Sequence, residues 1–446
     1  MSKAWKKYLL WFAQEHTEFR YAEPYWLVEF SSEKDAKLLA SRSVSLRNCI
    51  ELWGHAKSLD SLHSTLKQQC QIFAPYFHPK KSFKLEVETF GRHFTQNEKI
   101  AKLESFIYLP IQGPVRLKDP DLCLQYIEYY GIRASSPPEL PYEVFFGRCV
   151  ANGLRALIKK LSLKTRKFIG NTSMDPQLSL LMANQAKVSN GDFILDPFVG
   201  SGSLLVAAAE FGGYVFGTDI DYLMLHGKTK PTRIKQKKRA NDESIEANMR
   251  QYGLQDKYVD VLINDFSMKF WKDSVQFDAI ITDPPYGIRE TTERVGTQKH
   301  DCVISEKHLA THIPAKIEYG IPNIYKDLLD FSAKHLKLGG RLVCWFPIFK
   351  DDYTEDCLPM HPCLKLLANC EQPLSKVTSR RLLTYAKMRH PSVDEVDDAE
   401  QSRIHDFRDK YFVVREETRK ERRMKNAAVN KKNWEKYVKS KSSLEI

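Results

Sequence analysis

FILDPFVGSGSLL, Phe193 to Leu205, is the stretch whose reading decides the fold of the central part of the chain. An apolar run ends in Asp196-Pro197, a tight turn follows with Gly200 and Gly202, and a helical pattern starts near Ser203. That is the strand–turn–helix order of an open α/β sheet, with glycines where the backbone must approach a ligand closely. As a dinucleotide fingerprint the stretch fails, because Leu205 stands where a third glycine is needed and Asp196 would repel a pyrophosphate. A cationic, non-phosphorylated nucleotide suits it better.

Outward from this turn, strand–helix alternation runs from about residue 161 to 390. Parallel strands are expected at 193–197, 214–219, 259–263, 277–282 and 341–346, with helical patterns at 203–211, 243–252 and 324–336. The gaps are long enough for right-handed crossovers, so a doubly wound sheet is expected. The second strand ends in Asp219, seventeen residues after Gly202, where a carboxylate can accept both hydroxyls of a ribose. Asp265 and Phe266 close the third, suited to the amino group and face of an adenine. Three carboxylates on one sheet edge imply a positively charged cofactor, for which S-adenosyl-L-methionine is the natural candidate.

The fourth strand ends in AIITDPPYGIRE, Ala279 to Glu290. Asp283 offers an acceptor, Pro284 a carbonyl on a rigid turn, and Tyr286 an aromatic face. The exocyclic amine of a nucleobase is a poor nucleophile because its lone pair delocalises into the ring. Two acceptors on its hydrogens localise that pair toward a methyl sulfonium, and a stacked ring holds the base in line. No strong base is needed, and the base must leave its stack.

Basic residues (68) exceed acidic ones (56), for a net charge of +12, which favours a polyanionic partner: RNA, DNA or an acidic lipid surface. The apolar patch in MSKAWKKYLLWFAQEH is too short for a signal peptide or spanning helix, and there is no longer apolar run, so no membrane is expected. Nine scattered cysteines without a CxxC predict neither a disulfide framework nor a zinc ribbon, and a cytoplasmic location follows. His308 and His312, with Cys302 upstream, lack a matching ligand set and read as loop and surface residues, so no metal is expected.

Ahead of the sheet, residues 1–75 read as a small N-terminal α+β unit. A second α+β module with its linker follows at 76–160, with strands from Ser82, over Pro114-Val115-Arg116-Leu117 and at Cys123 to Glu128. Residues 161–390 hold the α/β domain, and 391–446 form a basic charged tail, read as a solvated helix or a phosphate-binding arm. From Tyr222 through Ala240 there is no acid, while Lys228, Lys230, Arg233, Lys235, Lys237, Lys238 and Arg239 crowd together. Both a solvated loop and an RNA-backbone contact fit that run.

The sequence resembles the tRNA guanine-N2-methyltransferase family that acts on the guanine at position 10. The resemblance is carried by FFGR (Phe145 to Arg148), FIGNTSMDPQLSLLMAN (Phe168 to Asn184), LDPFVGSGSLL, GTDIDY, RQYGL (Arg250 to Leu254), DAIITDPPYGIRE and the stretches HPCLKL, NCEQPLS and TSRRL. It implies a Rossmann-like class I methyltransferase sheet preceded by N-terminal and THUMP domains, the latter gripping the acceptor end of tRNA. It also implies a small zinc-binding activator subunit as heterodimer partner. By the resemblance, Asp196, Gly200 and Gly202 line the methionine part of the cofactor with Phe198 beside them. Asp219 takes the ribose, Asp265 and Phe266 the adenine, and Asp283, Pro284 and Tyr286 the guanine amine. The segment FIGNTSMDP closes over the cofactor. The chain departs from the family where Glu23 runs directly into Pro24, so its N-terminal domain is about two dozen residues shorter. Rival readings are a DNA adenine-N6 methyltransferase, whose amine Asp-Pro-Pro-Tyr serves equally well, and a non-catalytic RNA-binding scaffold of the same fold.

Overall fold

The computed structural model describes residues 5–13, 15, 16, 19, 25–131, 137–298, 312–392, 407–413 and 424. Cys302, His308, most of the basic tail and the Glu23–Pro24 junction lie outside them; His312 is described, as an exposed residue. Two compact units form: Met1–Arg166 with Met174–Asn184, and Lys167–Ser173 with Gln185–Ile446.

In the first unit, β1 (Lys6–Phe12), β2 (Tyr25–Phe30), β3 (Leu46–Ala56), β4 (Phe83–Phe90), β5 (Leu122–Tyr129) and β6 (Glu143–Asn152) make one sheet in the order β2-β1-β3-β6-β5-β4. Only β4 and β5 pair in parallel. The apolar patch at Tyr8 is a strand buried on both faces. Tyr8, Leu10 and Phe12 join one cluster with Ala36, Ala40 and Cys49, while Leu9 and Trp11 join another with Ile50, Phe90 and Phe145. This division follows from the two-residue period of a strand. The sheet runs across residue 75, so the segments read separately at 1–75 and 76–160 share it. Pro114–Leu117 is not a strand but a single bridge from Val115 to Phe83. Pro114 cannot donate to a ladder, and Val115 and Leu117 are exposed, so no burial favours extending the pairing. Arg148 of FFGR pairs with Glu33 and Glu51, both at 2.5 Å, and its guanidinium lies 4.5 Å from the Tyr76 ring centre, which makes it a clamp inside this unit.

The second unit is built on β7 (Phe193–Asp196), β8 (Tyr214–Asp219), β9 (Tyr258–Ile263), β10 (Phe277–Thr282), β13 (Leu336–Phe349), β14 (Leu364–Pro373) and β15 (Thr378–Lys387), with a small β11 (Glu293–Val295) and β12 (Lys316–Glu318) pair apart. The order is β14-β15-β13-β10-β7-β8-β9. The run from β13 through β9 is parallel, and β15 enters antiparallel between β13 and β14. Crossover helices Ser203–Glu210, Ile245–Tyr252 and Ile321–His335 follow the expected periodicities and bury their apolar positions, Phe331 only in part. The order reverses between β7 and β10, which is the switch point where open α/β sheets bind ligands. At the far edge β9 is poorly covered: Val259, Leu262 and Ile263 are all exposed.

Candidate active site

Asp196, Asp219, Asp265 and Asp283 stand at or just past the carboxyl ends of β7, β8, β9 and β10. Pro197 stops β7, and the chain then turns through Gly200 (φ +49°) and Gly202 (φ +77°), a conformation that side chains with a Cβ disfavour. At Gly202 a Cβ would come within 2.8 Å of Ile245 Cγ2. Nothing lies within 4 Å of the Cβ position of Gly200, so the turn leaves an open cradle there.

Each carboxylate is held by local donors. Asp196 Oδ1 accepts from Phe198 N at 3.1 Å and from Thr282 Oγ1 at 2.7 Å. Asp219 Oδ2 accepts from Gly200 N at 2.8 Å, and its Oδ1 from Asp221 N at 2.9 Å. Asp265 Oδ1 accepts from Ser267 N at 2.9 Å and its Oδ2 from Val295 N at 2.5 Å, so the small β11–β12 pair is tied to the site. Burial pushes the Asp196 carboxyl up to about 8 against these bonds, with Asp219 and Asp283 adding repulsion. Burial also raises Asp219 and Asp283. A pocket that disfavours its own negative charges fits a cation: a sulfonium or ammonium relieves the strain that desolvation imposes on them. The donor set and the Gly200 cradle therefore match S-adenosyl-L-methionine.

Tyr286 donates its hydroxyl to Asp283 Oδ1, and Pro284 is buried between the two. Phe198 and Phe266 meet at 5.2 Å between ring centres, and Phe266 rests on Phe331 at 5.1 Å. The segment Lys167–Ser173 lies against the same edge. Phe168 N donates to Asn248 Oδ1 and Asn248 Nδ2 returns a bond to Phe168 O, both at 2.8 Å. Ser173 and Ser201 hydroxyls are 2.5 Å apart, and Thr172 Oγ1 donates to Glu290 Oε1 at 3.1 Å.

Several neighbours were not singled out from the sequence. Thr282 and Glu290 border the carboxylates, and Arg380 on β15 donates from Nη1 to Asp283 Oδ2 at 3.1 Å. Paired arginines at the start of an apolar strand, RRLL, were the available signal for Arg380. In the basic run, Arg239 is no free cation: it pairs with Glu243 at 2.8 Å, donates to the carbonyls of Thr229, Ile169 and Lys230, and stacks on Phe168. Lys230, Lys235, Lys237 and Lys238 remain exposed. Among the described residues no group of three or more acidic, histidine or cysteine side chains could hold a metal, and no helix is long and apolar enough to cross a membrane.

The Tmrp11 THUMP N-terminal domain family matches residues 22–155, and the RMKL-like methyltransferase domain family matches residues 164–306. The tRNA (guanine(10)-N(2))-methyltransferase TRMT11 of Bos taurus is 45% identical over 406 residues, covering 86% of this chain and 88% of that protein. Its Xenopus laevis counterpart is 41% identical, covering 99% of this chain and 98% of that one. Among solved structures, TrmN from Thermus thermophilus is similar with a TM-score of 0.43 and 17% identity, covering 86% of this chain and all of that one. The chain belongs to the tRNA (guanine(10)-N(2))-methyltransferase TRMT11 family and is, as a member of it, an S-adenosyl-L-methionine-dependent methyltransferase.

Proposed function

We propose that this chain methylates the exocyclic N2 amine of guanine 10 in tRNA, as the cytoplasmic catalytic subunit of a heterodimer with a small zinc-binding activator. The observation that carries the reading is Asp283-Pro284-Pro285-Tyr286 at the end of β10, next to the acidic edge of β7, in a chain so similar to enzymes named for that reaction. S-adenosyl-L-methionine, when bound, supplies a methyl group on a positively charged sulfur. The chain's own residues do the rest. Asp196 and the Gly200–Gly202 turn hold the methionine part with Phe198, Asp219 takes the ribose, and Asp265 with Phe266 takes the adenine. Asp283 and the Pro284 carbonyl accept the two hydrogens of the guanine amine, which raises electron density on its nitrogen, while Tyr286 stacks on the base. Alkylation makes the amine acidic, so the proton leaves to Asp283 or to water without a strong base.

Assembly of these side chains at one edge argues against a silent scaffold, since a protein that only binds RNA has no need of buried carboxylates there. The β9 edge supports a partner: among the described residues no strand pairs with its outer side, and Val259, Leu262 and Ile263 expose apolar surface there, an arrangement that proteins cover. The test is methyl transfer from labelled S-adenosyl-L-methionine to unmodified tRNA transcripts, with the activator co-expressed. N2-methylguanine is expected, and should vanish on Asp283→Ala and on replacing guanine 10. Transfer to duplex DNA instead would establish the adenine-N6 rival.

A further inference from the structure

Capture of an amine at this site depends on Asp283 being an acceptor, and the chain clamps that carboxylate from both sides. Tyr286 donates to Oδ1 and Arg380 Nη1 donates to Oδ2 at 3.1 Å. Arg380 is itself fixed: its Nε donates to Gln372 Oε1 at 2.7 Å across the β14–β15 pair, and its guanidinium lies 3.9 Å from the Trp345 ring centre. A guanidinium held by a stacked ring on β13 and by bonds to Gln372 on β14 and to Asp283 just past β10 keeps one geometry.

Burial favours the protonated Asp283, which would turn one acceptor oxygen into a donor aimed at an amine's own hydrogens. The other titratable groups facing it give no help. Tyr286 on its own loop, Tyr325 on helix Ile321–His335 and Cys344 on β13 are all pushed upward and stay neutral, and Asp196 on β7 adds like charge when ionised. Among the described residues Arg380 is the cation brought against Asp283.

We propose that Arg380 is a positioning residue for the methyl transfer, keeping the Asp283 carboxylate ionised and fixed in the orientation in which it accepts a nucleobase amine. This rests on the amino-methylation reading of the site.

The test uses the full chain with its activator, as wild type, Arg380→Met and Arg380→Lys, and follows kcat/KM for tRNA against pH. Loss of the cation is expected to move the acid limb upward by about 1–3 pH units, a roughly 10- to 1,000-fold deficit at low pH that recovers as pH rises. Arg380→Lys keeps the charge and should keep the limb near its wild-type position. An unmoved limb in Arg380→Met, whatever the size of the loss, overturns the proposal. Arg380→Gln, which retains a neutral donor, is read in the same way if the Met variant melts early. Infrared difference spectra give a readout that needs no turnover. The carbonyl stretch of a protonated carboxyl that is lost when Asp283→Asn is added should persist to higher pH in Arg380→Met than in wild type, and a band that titrates at the same pH in both also overturns the proposal. If wild type makes no methylated guanine yet that band persists to higher pH in Arg380→Met, the functional reading fails while the role of Arg380 in ionising Asp283 stands.

Discussion

Raising the pH should tighten S-adenosyl-L-methionine binding, and Asp196 is the group to watch. In the free protein its carboxyl is pushed up to about 8, because burial outweighs the bonds from Thr282 and Phe198 N. A cation seated beside it favours the ionised form, so binding must expel the proton that the free carboxyl carries below that value. If the carboxyl is fully ionised in the complex, the apparent Kd falls about tenfold for each pH unit up to about 8, where the dependence flattens. From about pH 6 to the plateau above pH 8 this amounts to roughly a hundredfold, or ~2.7 kcal/mol. Near pH 7 about nine in ten free molecules hold the proton, so about 0.9 proton should be released per cofactor bound. Isothermal titration in two buffers of different ionisation enthalpy measures that number directly. Asp196→Asn should abolish the release and flatten the profile, and S-adenosylhomocysteine, which lacks the sulfonium charge, should show a shallower slope than the methyl donor. The sign for the free fold runs the other way. Asp196 binds its proton more tightly folded than unfolded, so its contribution is present below about pH 4 and is lost as pH rises through about 8. An equal slope in the Asn variant, or no proton release by wild type, would refute the assignment of Asp196 to the cation.

Tyr286→Phe keeps the ring and frees Asp283 Oδ1, so it should cost less than about tenfold in kcat/KM, whereas Tyr286→Ala loses the stacking face, worth about 1–3 kcal/mol or roughly 5- to 150-fold; steady-state kinetics on tRNA decides. Neutralising Lys235, Lys237 and Lys238 to Ala should raise KM for tRNA and lower the salt slope of binding by roughly 2–3, leaving cofactor affinity unchanged; an unaltered slope assigns that loop to solvent. Arg239→Ala leaves Glu243 buried without its cation and should destabilise the second unit by about 3–5 kcal/mol, seen as a lower Tm, far beyond the effect of Lys237→Ala.

Much of the candidate site was legible along the chain because it is local chemistry. A strand ending in Asp196-Pro197, two glycines at positive φ and a helix starting at Ser203 announce themselves through periodicity and turn composition. Asp219, Asp265 and Asp283 are each readable as the residue at or just past the end of an apolar run, and parallel strands place such ends on one edge. Arg380 was out of reach of that reasoning. It stands 97 residues beyond Asp283, and they meet only because β15 turns antiparallel between β13 and β14.

The same contrast holds through the rest of the molecule. By itself, the sequence determined the α/β character of the second unit, the positions of its crossover helices and the acidic edge, since each depends on residues a few positions apart. Tertiary structure decided that β1 lies inside a six-stranded sheet, that Pro114–Leu117 stays outside it, and that Arg239 is a buried staple while its neighbouring lysines face water. The reason is physical. Periodicity records which face of an element is apolar, whereas pairing partners and the burial of a charge depend on what distant segments bring against that face, and that is settled only when the sheet closes.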